Sequence, residues 1–125
     1  MKFLSLQHIA IEDPGTFKDF LLEDNHSLTT IQLDEGETIP SNLNEFDAML
    51  CMGGPMDTHM EQEYPWLVSE KKAISEYILN LEKPFLGFCL GCQLLGEVLG
   101  GQVVKSNPSE IGVLDIHSQE DIKID

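Results

Sequence analysis

The sequence predicts an α/β fold built on a mostly parallel sheet with helices on both faces. Strand-like and helix-like segments alternate through the first hundred residues, and that order implies βαβ units. At 125 residues the chain fits one domain, and it can bury about two thirds of its unfolded surface. Two predicted strands end in glycine-rich stops, where sheets of this kind bind ligands.

Each element has its own warrant. Residues 2–9, KFLSLQHI, read as a buried strand. In the following DPGTFKDFLLEDN, Asp13 suits an N-cap and Pro14 the first helical turn, with Phe17, Phe20 and Leu21 on one face. The alternating, β-branched SLTTIQLDEGE predicts a second strand that ends by Gly36. Residues 48–52 predict a short strand stopped by Gly53-Gly54-Pro55, and DTHMEQE an exposed loop. YPWLVSEKKAISEYILNLEK is the clearest helix, with Pro65 in its first turn and Leu67, Ile74, Ile78 and Leu81 at helical spacing. PFLGFC predicts the next strand, and LGCQLLGEVLG a helix closed by Gly100-Gly101. QVVK and IGVLDIHS predict two further strands.

Composition excludes several classes of function. Hydrophobic residues make up 42%, which argues against disorder. With 22 acidic and 7 basic residues, the formal charge is -15. Such a surface repels phosphate backbones, so no nucleic-acid partner is expected. No apolar run reaches membrane-spanning length, and MKFLSLQHIAIED turns acidic before any cleavage pattern, so neither a membrane association nor a signal peptide is expected. The expected location is cytoplasmic. Three cysteines, Cys51, Cys89 and Cys92, make a disulfide framework improbable. Their spacing, with that of the histidines, implies no metal site, and no cofactor is called for.

Residues 84–101, PFLGFCLGCQLLGEVLGG, support two readings. Cys89-Leu90-Gly91-Cys92 has the spacing of a thioredoxin-type redox pair. Gly87-Phe88-Cys89-Leu90-Gly91 has the spacing of a nucleophile elbow, a strained strand-to-helix turn that needs small residues two positions either side of the nucleophile. In the elbow reading Cys89 stands at a helix N-terminus, where backbone N–H groups and the helix dipole favour negative charge. The Leu90 N–H then points at a developing oxyanion, and the Gly53-Gly54 backbone is placed to supply a second donor. Both glycines and the neighbouring Gly-Gly-Pro loop have a role in the elbow reading and none in the redox reading. On the bland reading Cys89 is a small buried residue at a glycine-rich turn.

GFCLGCQ resembles the Gly-x-Cys-x-Gly-x-Gln nucleophile motif of class I glutamine amidotransferases. MGGPM resembles that family's oxyanion loop, and EYPWLVSEKKAISEYI the helix after it in GMP-synthetase-like members. The resemblance covers essentially all of residues 1–125, as the N-terminal part of a family domain, and implies a flavodoxin-like sheet that is incomplete. It implies that Cys89 attacks the carboxamide of L-glutamine to release ammonia and leave a γ-glutamyl thioester. By the same resemblance Gly54 and Leu90 donate to the oxyanion, while Gly53 and Gln93 help hold the substrate. A synthetase domain or subunit would accept the ammonia, although γ-glutamyl hydrolases are also relatives. Glu110-Ile111-Gly112 resembles a segment that follows the next strand, and it is given no chemical role.

The family's general base is a histidine in a His-x-Glu motif well downstream of the nucleophile, and none follows Cys89 in these 125 residues. His59-Met60-Glu61 has the spacing but falls in a polar loop. His117 lies on an apolar strand pattern, as a core or cleft residue. His8 ends the first predicted strand and His26 sits in a turn, neither placed to touch Cys89. The sequence therefore predicts little glutaminase activity for this chain alone. A non-catalytic amidotransferase-like binding or regulatory module is the alternative function.

Overall fold

The computed structural model describes residues 1–117. Its core is a four-stranded sheet, all parallel, in the order β2-β1-β3-β4. The strands are β1 (Lys2–Gln7), β2 (Ser27–Gln32), β3 (Ala48–Cys51) and β4 (Phe85–Gly87). The helices are α1 (Thr16–Glu23), α2 (Trp66–Ser75) and α3 (Leu90–Val98). A π turn at Glu76–Asn80 extends α2, and a single 3-10 turn spans Leu43–Glu45.

Alternation along the strands divides the core in two. Leu4, Leu6, Met49 and Cys51 face Leu67, Ile74, Tyr77, Leu90 and Leu94 of the α2 and α3 layer. Phe3, Leu28 and Leu50 face Leu21 and Phe17 of α1. Every residue of β3 is buried, because helices cover the sheet on both sides there. This is the flavodoxin-like arrangement of helices on both faces. Strand order reverses at β1, with β2 on one side and β3 on the other, and sheets of this kind bind ligands at the carboxyl ends beside such a switch point.

Four local expectations are corrected. Asp13 does not cap α1; its Oδ1 accepts from the Gly15 N–H at 3.0 Å, and Gly15 is the cap, at φ 52°. Phe20 is exposed on α1, because Phe17 and Leu21 alone cover that face of the sheet. The loop at residues 57–63 is largely exposed as expected, and the correction there is confined to Thr58. Thr58 is buried and bonded to Glu97 at 2.5 Å, and Lys71 bridges Glu61 and Glu97 at 2.9 Å each.

The fourth correction concerns the C-terminal strands. Residues 101–117 run without regular structure, and Val104, Ile111, Val113 and Ile116 are exposed. An apolar alternation makes a strand only where a sheet edge accepts it, and this segment does not reach β4. Ser118, at the end of the second predicted strand, lies outside the described residues. Gly100 and Gly101 do close α3 as expected: Gly100 sits at φ 89°, and the Gly101 N–H reaches the Gly96 carbonyl at 2.8 Å. Among the described residues no helix is long and apolar enough to cross a membrane.

Candidate active site

Cys89 stands between β4 and α3 with φ 49° and ψ -108°, a left-handed conformation rare for a residue with a side chain. The flanking glycines allow it. A β-carbon on Gly87 would lie 2.5 Å from the Gly91 carbonyl carbon and 2.6 Å from the Cys92 nitrogen. One on Gly91 would collide with the Cys51 carbonyl oxygen and come within 2.7 Å of its carbon. The elbow is therefore tight on both sides, with α3 pressed against β3 at Gly91.

Cys89 is exposed at the head of α3. Cys92, three residues on, is also exposed. The buried stripe of α3 is Leu90, Gly91 and Leu94, and position 92 falls off it. Gln93 is exposed on the same turn, and its N–H bonds the Cys89 carbonyl at 3.2 Å.

The loop after β3 closes over this point. A β-carbon on Gly53 would lie 3.4 Å from Cys89 Cβ and would overlap the Glu12 carboxylate, which reaches in from the β1–α1 loop. Gly54 is wedged between His8 and Leu90, with its β-carbon position 3.1 Å from His8 Cβ and 3.3 Å from Leu90 Cδ2. Among the described residues, the Gly54 and Leu90 N–H groups bond no backbone carbonyl. The structure thus brings Gly53, Gly54, Cys89 and Leu90 together, with Gln93 on the adjoining turn.

Beneath the loop lies a polar cluster that sequence reasoning missed. His8, Cys51 and Glu70 are all fully buried. His8 Nε2 lies 2.7 Å from Glu70 Oε1, and its Nδ1 lies 2.9 Å from the Gly53 carbonyl oxygen. The Cys51 thiol donates to the same Glu70 oxygen at 3.3 Å. The indole of Trp66 stacks on the imidazole, with centroids 5.3 Å apart and planes at 18°. A carbonyl oxygen only accepts, so Nδ1 donates to it, and a carboxylate at Nε2 favours the charged ring. The ligand atoms of His8, Cys51 and Glu70 lie within 4.8 Å of one another, a set of types that could hold a metal ion. Here they bond one another directly, which satisfies the imidazole without an ion. One signal for Glu70 was readable: it occupies the buried stripe of α2 between Leu67 and Ile74, where a charged residue needs a partner.

Electrostatics sharpen this picture. Burial alone would lower the His8 pKa, but the hydrogen bond and charge of Glu70, then the Gly53 and Met52 carbonyls, raise it above 6.5. Burial, with the charge and hydrogen bond of Glu70, pushes the Cys51 thiol well above its ordinary value. The titratable groups that face the imidazole are Glu70 from α2 and Cys51 from β3. Because folding raises the His8 pKa, its contribution to stability is full below the unfolded value and is lost as pH rises through the folded one. Thermal melts from about pH 6 to about pH 9 should show Tm falling on the alkaline side, and His8→Gln should flatten that fall. An unchanged slope in His8→Gln would assign the pH dependence to other groups.

The remaining histidines lie elsewhere. His59 is exposed in the loop held by Glu97, His26 meets the N-terminal amine at 3.2 Å, and His117 is exposed rather than in a core or cleft.

A family profile described as Glutamine amidotransferase class-I matches residues 18–122. The Salmonella typhimurium glutamine amidotransferase-like protein YfeJ is 31% identical over 84% of this chain and 45% of its own length. A glutamine-hydrolyzing GMP synthase subunit of Sulfolobus acidocaldarius is 36% identical over 60% of this chain and 37% of its own. Among solved structures, a glutamine amidotransferase of Thermotoga maritima superposes with TM-score 0.75 and 39% identity, covering 80% of this chain and 43% of its own. A glutamine amido transferase of Methylobacillus flagellatus gives 0.81 and 31%, covering 89% and 43%. The chain spans less than half the length of each of these relatives.

Proposed function

Since the chain belongs to the class I glutamine amidotransferase family, we propose that it forms the N-terminal, nucleophile-bearing part of a glutaminase site. The observation that carries this is the Cys89 elbow set against the Gly53-Gly54 loop. Cys89 Sγ attacks the side-chain carboxamide carbon of L-glutamine, and a C–S bond forms. Charge gathers on the carbonyl oxygen, where the Gly54 and Leu90 N–H groups meet it. The C–N bond then breaks, ammonia leaves, and water hydrolyses the γ-glutamyl thioester to glutamate. Gly53 and Gln93 hold the substrate beside the sulfur. Proton transfer from the thiol and to the amine falls to a base that the described histidines do not supply. The released ammonia passes to an acceptor on a synthetase domain or subunit, by analogy with the GMP synthase subunits.

Iodoacetamide labelling with peptide mapping tests this reading. Cys89 should label fastest, Cys92 more slowly and Cys51 not at all in the folded protein. L-glutamine should protect Cys89 and L-asparagine should not. Preferential labelling of Cys92, or a reversible Cys89–Cys92 disulfide couple, would favour the redox reading. Glutamine that protects nothing would leave a non-catalytic module.

A further inference from the structure

The Gly53–Gly54 peptide joins two glycines, the residues with least resistance to backbone rotation. In a trans peptide the C=O and the N–H point opposite ways. His8 Nδ1 holds the Gly53 oxygen at 2.9 Å on the buried side, so the Gly54 N–H is turned to the opposite side of the peptide, away from His8 Nδ1. Glu70 fixes the far side of the ring at 2.7 Å, Trp66 covers its face, and Cys51 donates to the same carboxylate oxygen. A donor on the Gly53 carbonyl also draws charge from the amide and strengthens the Gly54 N–H as a donor.

We propose that His8, oriented by Glu70, is a positioning residue that holds and polarises the Gly53–Gly54 peptide as an oxyanion donor. This rests on the reading of Cys89 as nucleophile and Gly54 as donor. A fully buried histidine–carboxylate pair is costly to retain for stability alone, since apolar residues of similar volume often serve as well. Its bond to the loop carbonyl gives the pair a functional reason to persist.

The test separates the donor to Gly53 from the bond to Glu70. The probe is the chloromethyl ketone analogue of glutamine, whose ketone oxygen takes the oxyanion position. The Cys89 sulfur forms the S–C bond, chloride leaves with the C–Cl electrons, and the thiol proton passes to solvent. Iodoacetamide is the reference, because it uses the sulfur without the oxyanion donors. His8→Gln keeps an amide near the Nε2 position for Glu70 and offers nothing to Gly53. It should lower kinact about ten- to a hundredfold, short of the loss from deleting a donor, with KI and the iodoacetamide rate within about twofold. A second comparison removes the buried charge from both partners: H8N/E70Q keeps a donor near the Nδ1 position, and H8L/E70Q has the same shape without one. The first should react at least about tenfold faster than the second at similar Tm. Equal kinact for His8→Gln and wild type, or equal rates within the double-variant pair, would overturn the proposal. A wild-type protein whose Cys89 ignores the chloromethyl ketone yet takes up iodoacetamide would instead overturn the underlying site assignment.

Discussion

Assayed for glutamate release, the 125-residue chain should turn over about a hundred- to ten-thousandfold more slowly than a full-length family member such as the Thermotoga maritima enzyme. That is the usual worth of general acid–base help. In the proposed site the elbow and the Gly53-Gly54 loop would supply a nucleophile and oxyanion donors, but neither would accept the thiol proton or deliver one to ammonia. The described histidines offer no substitute. His59 and His117 are exposed in loops, and His8 is fully engaged below Gly53. Residual turnover above the water rate is compatible with this, since oxyanion donors act without the base. It should vanish in Cys89→Ala. A rate that matches the full-length enzyme would mean a base within these residues, with His59 the first to mutate. A residual rate that survives Cys89→Ala would remove Cys89 as nucleophile.

The largest effect on folding should come from one methyl group. Gly91→Ala sets a β-carbon against the Cys51 carbonyl, 2.9 Å from Cys51 Cβ, where backbone cannot step aside as a flexible side chain would. Relief requires α3 to lift from β3. The cost should reach about 3 kcal/mol or more, beyond ordinary overpacking, and lower Tm by roughly 10 °C. Gly96→Ala, in the same helix, should do the opposite. Nothing lies within 4 Å of its β-carbon position, and alanine is the better helix former by up to about 1 kcal/mol. Thermal melts of the two variants decide the matter: equal shifts would mean that the elbow is not tight at Gly91.

The parts of this fold that depend on local chemistry were legible in the sequence. β1, β3 and α2 follow from apolar spacing, and the demand for glycine at 87 and 91 follows from the strand-to-helix turn. The strands expected at residues 102–105 and 111–118 show the limit. Pattern measures what a segment would bury, not whether the chain carries it to the open edge of β4. His8 and Glu70 failed to register for a related reason. They lie 62 positions apart in the chain, and each alone has an ordinary explanation: a histidine at a strand end, a glutamate on a mixed helix. Only the parallel register of β1 against β3 puts the residue after Gln7 beneath Gly53.

The buried thiol of Cys51 also makes the chain its own stability gauge. It is sealed at 0% exposure and held protonated, so reagents reach it only in molecules whose β3 has come away from the sheet. Cys89 and Cys92 lie open in the intact fold and label at once whether or not the sheet has opened. Pulse alkylation with mass spectrometry therefore counts two clocks in one tube. The fast sites mark how much protein is present, and the slow site reads the free energy of opening, residue-resolved and without denaturant.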